Sequence, residues 1–231
     1  MTSIVDPVLS TDHLIRLHKI GFKLIPLKDD GKTPAIKSTN EVYHNRNYWT
    51  DEKIAREYSK FKNVATTFGK THRKDPESND LYLNEIDIDS KEVFDRLAVV
   101  KVRESEHFFL NDMCKLTYVV KTRKKWGRRI FWLSHHQYSP IRISDCKPGF
   151  EFEIKTDNTS GHSTLPPSRH RDDANFHYQS IGQETIAIQD GLYDGISKLL
   201  SDCLKNKKPY DRKNAITAAG VNVDIILTER H

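Results

Sequence analysis

The chain has 231 residues, enough for one substantial domain that needs neither a disulfide nor a metal staple to fold. A hydrophobic fraction of 36% with 10% aromatic residues fits a folded domain with a polar surface. No stretch approaches the roughly 18 apolar residues of a membrane span, and three scattered cysteines make neither a disulfide framework nor a CxxC zinc motif, so a cytoplasmic setting is expected.

Residues 1–11 read as a loose arm, 12–204 as the domain, and 205–231, opening on Lys205-Asn206-Lys207-Lys208-Pro209, as a tail or linker. Thr11 to Ile20 has helical spacing: Thr11 and Asp12 serve as caps, Leu14, Ile15, Leu17 and Ile20 share a face, and Gly21 stops it. Phe22 to Leu27 reads as a strand ending in the Asp29-Asp30-Gly31 turn. Thr50 to Phe61 is a helix capped by Thr50, and Asn63 to Phe68 a strand closed by Gly69. Lys70 to Asp80 reads as a polar loop. Leu81 to Asp89 is the clearest strand, although Leu81, Leu83, Ile86 and Ile88 alternate imperfectly with Tyr82, Asn84, Asp87 and Asp89. Helices follow at Lys91 to Val99 and Arg103 to Asn111. Strands come next at Leu116 to Lys121, Arg128 to Leu133, Pro140 to Ile143, Phe150 to Lys155, His162 to Leu165 and Asn175 to Gln179. An amphipathic helix from Asp190 to Leu204 closes the domain. The pattern is α+β, or mixed α/β, with at least one antiparallel meander.

The net charge of +5 is mild, but its distribution is uneven. Lys121, Arg123, Lys124, Lys125, Arg128 and Arg129 crowd into one short stretch around Trp126, downstream of the acidic run Glu85, Asp87, Asp89, Glu92 and Asp95. A solvated hairpin explains the basic run as well as a polyanion site does. On a strand, residues i and i+2 share a face, so Asp87 and Asp89 stand together and repel unless a cation or proton compensates. Hard oxygen ligands suit Mg2+ or Mn2+; the other reading is two exposed acids before a helix, with Asp89-Ser90 as cap. In Phe150-Glu151-Phe152-Glu153-Ile154-Lys155, Glu151, Glu153 and Lys155 share a face. If that strand lay beside the first, Glu153 would complete a site for two ions about 3.5–4 Å apart; otherwise it is an edge strand with a polar face. Ser160 to Arg171 sets hydroxyls, imidazoles and guanidinium groups around Pro166-Pro167, as a phosphate cradle or as a stiffened polar loop. No GxxxxGK[ST], GxGxxG or HExxH motif is present, which removes P-loop ATPases, dinucleotide enzymes and the common zinc proteases.

Gly21 to Leu27, Gly31-Lys32-Thr33-Pro34-Ala35, Asn63 to Gly69, Ile86-Asp87-Ile88-Asp89, Gly127 to Trp132, Phe152-Glu153-Ile154-Lys155 and Leu165-Pro166-Pro167-Ser168-Arg169-His170 occur in series. Over roughly residues 12–200 this order resembles the primase-polymerase domain of the archaeo-eukaryotic primase superfamily, in the type carried by replication proteins of archaeal plasmids and mobile elements. The resemblance implies two small α/β units meeting at a cleft, one of them similar to an RNA-recognition-motif sheet. It implies DNA priming and polymerisation: template-directed transfer of nucleotides from triphosphates to a 3′-hydroxyl, in DNA replication. It makes Asp87, Asp89 and Glu153 the ligands of two Mg2+ or Mn2+ ions. Arg129 falls where the family normally carries a histidine that binds nucleotide phosphates, and an arginine is always charged and forked. Lys155, Ser168 and His170 join the nucleotide pocket. Lys121, Arg123, Lys124 and Lys125 would hold a single-stranded DNA template and primer, with Trp126 available to stack on a base and Trp132 placed in the core. A helicase or helix-bundle module is expected outside these residues, and no membrane partner. Two further readings stay open: a metal-dependent nuclease with Lys155 of Glu153-Ile154-Lys155 activating water, and a nucleic-acid-binding module without catalysis.

Overall fold

The computed structural model describes residues 9–37, 45, 48–58, 60–98, 109–143 and 151–199. Most of the expected N-terminal arm, the 103–108 part of an expected helix, Phe150 and everything after residue 199 lie outside these residues. The described chain runs α1 (Thr11–Lys19), β1 (Lys23–Leu27), α2 (Asp51–Tyr58), β2 (Asn63–Thr67), β3 (Gly69–Lys74), β4 (Asp80–Ile88), α3 (Lys91–Ala98) and α4 (Phe109–Leu116). It continues through β5 (Val119–Lys121), β6 (Arg128–Ser134), β7 (Ile141–Ile143), β8 (Phe152–Lys155), β9 (Ser163–Leu165), β10 (Arg169–His170), β11 (Asp173–His177), β12 (Gln179–Ser180) and α5 (Leu192–Leu199). The fold is mixed α+β with antiparallel sheets, one of them curled into a half-barrel. No helix among the described residues is long and apolar enough to cross a membrane.

Two sheets position everything that follows. The larger has the order β12-β5-β6-β4-β8-β7, with β3 also paired to β4; the smaller is β1-β2-β9. Strand β4 is central. β6 follows it along one edge, from Tyr82 opposite Ser134 to Ile88 opposite Arg128. Its other edge is shared, with β3 against its first half and β8 against Glu85 to Ile88. The imperfect alternation of β4 has a simple cause, because both of its faces are covered. Leu81 and Leu83 enter a core built with Leu14, Leu17, Leu24, Ile25, Ile54, Val64 and Leu165, which joins the larger sheet to the smaller one and to α1 and α2. Ile86 and Ile88 point the other way, into a core with Val93, Leu97, Ile130, Trp132, Phe152, Ile154 and Ile196 under α3 and α5. Trp132 is fully buried there, a burial worth about 2–3 kcal/mol of apolar transfer.

Several expectations are corrected in detail. The polar stretch expected as a loop over Lys70 to Asp80 is a strand as far as Lys74, and only 75–79 is loop. Gly69, at φ +87°, reverses the chain out of β2, and the charged side chains then find partners across the ladder, Lys70 and Lys74 both on Asp80. Buried Thr71 donates to the Leu81 carbonyl at 3.0 Å, and Arg73 reaches the carbonyls of Ile20 and Ile186 at 3.2 Å each. Such residues read as loop because no local spacing announces their partners, some across the hairpin and some distant in sequence. Ser10, one residue earlier than expected, caps α1 by accepting from the His13 amide at 3.2 Å. The described chain is helical over Phe109–Leu116, past the expected helix end at Asn111, and the following strand begins only at Val119. The expected strand 175–179 is two strands: β11 pairs with β10, and β12 adds to the far edge of the larger sheet beside β5.

Candidate active site

Because side chains alternate along a strand, Glu85 and Asp87 share the face of Leu81 and Leu83. They therefore project at the end of the first core, where strand β9 of the smaller sheet supplies Ser163 and Thr164. Across the larger sheet, Asp87 lies directly opposite Arg129 of β6 on one side and Glu153 of β8 on the other, and Glu85 lies opposite Lys155. Two cations and three carboxylates of three adjacent strands thus fall into two neighbouring rows.

The contacts within these rows are specific. Asp87 Oδ2 accepts from Arg129 Nε at 3.2 Å and from Lys155 Nζ at 3.1 Å. Arg129 also donates through Nη1 to the Thr164 carbonyl at 3.0 Å, and its guanidinium carbon lies 5.0 Å from the centre of the Tyr178 ring. The Lys155 ammonium donates to Glu85 Oε1 and to Ser163 Oγ, each at 2.9 Å, and stands 3.6 Å from Glu153 Oε2. Ser163 Oγ in turn donates to Glu85 Oε1 at 2.6 Å. Glu85 is wholly buried and Asp87 and Lys155 nearly so, whereas Glu153 is half-buried. Asp89 follows the end of β4. Its amide donates to the Glu151 carbonyl at 3.3 Å, and its carboxylate faces Lys124 Nζ at 3.5 Å.

Burial and charge compete at each of these groups. Burial opposes ionisation of Asp87, but the Arg129 and Lys155 cations outweigh it and hold its carboxyl below the usual carboxylate range. Burial raises Glu85, and the Lys155 charge only partly offsets that. Asp89 is raised by burial and by the neighbouring Asp87 charge, against the pull of Lys124. Arg129 and Lys155 both resist deprotonation: burial works against their charge, and the surrounding carboxylates overcome it.

The residues expected at the nucleotide divide into buried and open positions. Lys155 is tied into the acidic rows as described. Ser168 is fully buried, accepting from the Val64 amide at 2.8 Å and donating to the Val64 carbonyl at 3.1 Å, so its hydroxyl joins the segment after Pro166-Pro167 to β2. His170 is half-buried; its Nδ1 accepts from the Asp172 amide at 3.1 Å, and its ring centre lies 5.8 Å from that of Tyr178. Partial burial, Arg123 and Arg129 lower its pKa. Tyr178 thus stands between Arg129 and His170.

The basic residues expected at a template lie on the turn between β5 and β6. Lys121, Arg123, Lys124 and Lys125 are all exposed. Lys124 is already engaged, with Nζ 3.0 Å from the Asp89 carbonyl and 3.6 Å from Glu151 Oε2. The half-buried Trp126 ring sits between the ammonium groups of Lys91 at 5.9 Å and Lys125 at 5.5 Å.

The sequence left Tyr178 out of this site, set Glu85 only within an acidic run, and set Ser163 and Thr164 only within a candidate phosphate cradle. A signal existed for Glu85, since stepping back by two from Asp87 reaches it. The others are brought in by the smaller sheet and by the chain leading to β12, whose approach no local spacing announces.

Among the described residues, no group of three or more His, Cys, Asp or Glu side chains is gathered closely enough to hold a metal as it stands. The donor chemistry nevertheless fits a hard divalent cation. Asp87 Oδ1 is buried without a hydrogen-bond partner, and Asp89, beside it, has its charge disfavoured by that neighbour. A cation at Asp87 Oδ1 would relieve both.

Compared with known families, residues 15–189 match the model of the Prim-Pol family, the N-terminal domain of bifunctional DNA primase/polymerases, over more than half of the chain. No curated protein matches.

Proposed function

The chain belongs to the Prim-Pol family of DNA primase/polymerases, nucleotidyltransferases of DNA replication, and on that premise we propose that Asp87, Asp89 and Glu153 are its catalytic carboxylates and hold two Mg2+ or Mn2+ ions. Polymerases of this family use divalent metals. The observation that carries the assignment is the row in which Asp87 stands directly between Arg129 and Glu153 on adjacent strands, with Asp89 at the strand end. Bound divalent ions would lower the pKa of the attacking 3′-hydroxyl and offset triphosphate charge.

The chain's own residues do the rest. Arg129 keeps Asp87 ionised and meets the phosphates with donors beyond the two already engaged. His170 lines the same side across Tyr178. Lys155 and Ser168 serve the nucleotide pocket from buried positions, one by aligning Asp87 with Glu153, the other by seating the segment that carries His170. Lys121, Arg123, Lys124 and Lys125 track the phosphates of single-stranded template and primer, and Trp126 offers a face for base stacking. Binding should therefore weaken steeply with salt and show little base preference. The same reading places the chain with replication proteins of archaeal plasmids and mobile elements, in the cytoplasm, beside a helicase or helix-bundle module. It also makes the fold two α/β units around a cleft, the larger sheet being the RNA-recognition-like one.

The test is an extension assay with single-stranded template, labelled nucleotides and Mg2+ or Mn2+, with and without primer. Asp89→Asn and Glu153→Gln are the informative controls, since Asp89 lies at the strand end and Glu153 is only half-buried, whereas a change at Asp87 would strip a buried charge from Arg129 and Lys155. Metal-dependent products that lengthen with time and vanish in both variants are expected, and unprimed products would add priming. Shortened template would replace this reading with a nuclease. Salt-sensitive binding with no product would leave a module that holds DNA without extending it.

A further inference from the structure

Glu85 has no place in the mechanism above, yet it is the most deeply buried acid of the group. Its Oε1 takes hydrogen bonds from both the Lys155 ammonium at 2.9 Å and the Ser163 hydroxyl at 2.6 Å, while Oε2 is buried without a partner. A lone apolar residue here would have been the simpler packing solution, because buried charges cost more than they return unless they are matched. Charge counting supplies the reason for an acid. Around Asp87, Arg129 and Lys155 bring two fixed positive charges, both within 3.2 Å of the same carboxylate oxygen. With Asp87 alone against them, the buried part of the site would carry a net positive charge and repel a divalent cation. With Glu85 the buried set is neutral, and the carboxylates of Asp89, which faces Lys124 at 3.5 Å, and of Glu153 stand at its rim.

We infer that Glu85 is a positioning residue that draws the Lys155 ammonium away from the metal-binding carboxylates and so permits a site holding two buried cations to bind divalent metal. The inference rests on the assignment of Asp87, Asp89 and Glu153 as metal ligands. Lys155 Nζ is shared among Glu85 at 2.9 Å, Asp87 at 3.1 Å and Glu153 at 3.6 Å. Removing the charge of Glu85 leaves that ammonium to the two acids that would meet the metal.

The experiment is a titration of the purified chain with Mn2+ alone, followed by electron paramagnetic resonance of the free ion, alongside thermal unfolding of each variant. Glu85→Gln keeps the shape and should weaken Mn2+ binding about tenfold or more, since a unit charge acts strongly across a few ångströms of protein interior. Glu85→Gln/Lys155→Met removes one charge of each sign, restores neutrality and should bind Mn2+ more tightly than the single variant. In extension assays, the single variant should need more Mn2+ for half-maximal rate and recover its kcat at saturating Mn2+, which a merely structural defect would not do. Wild-type Mn2+ affinity in Glu85→Gln overturns the inference; so does a folded double variant that has lost Mn2+ binding, and that second variant decides the matter if the first fails to fold. The underlying assignment fails separately, in Asp89→Asn, if that change leaves Mn2+ binding intact; absence of binding by the wild type would overturn both.

Discussion

Arg129→Met removes the guanidinium at the centre of the site and nearly preserves its length. Three contacts go with it: the bond to Asp87 Oδ2 at 3.2 Å, the bond to the Thr164 carbonyl at 3.0 Å, and the approach to the Tyr178 ring at 5.0 Å. Breaking a buried pair by deleting one partner costs about 3–5 kcal/mol. Lys155 stays on Asp87, so the lower end, about 3 kcal/mol, is the expected loss. For a domain of this size that is a fall in melting temperature of about 6–12 °C. The pair is 15% and 9% exposed at its two side chains, so salt should screen it little. Thermal and urea unfolding at pH 7, at low salt and with 0.5 M salt, would measure the difference, with an unchanged urea m-value showing that the unfolded state is unaffected. Arg129→Lys, which keeps the charge and loses the fork, should fall between the two. A melting temperature within about 2 °C of wild type, or a difference that disappears in salt, would refute the idea that Arg129 is clamped on Asp87.

Ser168→Ala should cost about 2–3 kcal/mol by leaving the Val64 amide and carbonyl without the buried hydroxyl that serves both, while KM for the nucleotide stays within about twofold. A raised KM without lost stability would instead put the hydroxyl on the nucleotide. His72 stacks on His18 with ring centres 3.9 Å apart, and both have buried Nδ1 atoms lacking partners. Burial, with His18 and Arg73 nearby, lowers the His72 pKa to about 4 from 6.5. A lowered histidine binds its proton more weakly folded than unfolded, so its contribution is complete above about pH 6.5 and is lost as pH falls toward 4, up to about 2–3 kcal/mol. His72→Phe, which keeps a stackable ring, should flatten the stability–pH curve in that window; an unchanged curve measured by urea unfolding would show that His72 does not titrate there.

Much of the site could be read along the chain because strand periodicity is local. The i, i+2 spacing put Asp87 and Asp89 on one face and separated Glu153 and Lys155 from Phe152 and Ile154, whatever those strands paired with. The Thr50 cap and the burial of Trp132 were legible because their signals are local too. Pairing was not. That β8 lies against the second half of β4, with Glu153 opposite Asp87 and Lys155 opposite Glu85, depends on which edges remain open once β3 has taken the first half. Strand β3 itself was hidden, since its polar residues are satisfied by Asp80, Leu81, Ile20 and Ile186, partners near and far in sequence. The resemblance assigned Ser168 and Lys155 to a nucleotide pocket, but the direction in which each points follows from the smaller sheet lying over the larger. The sequence alone therefore determined which side chains share a face; only tertiary structure decided which faces meet and which charges are buried together, because register and desolvation are set by segments far apart in the chain.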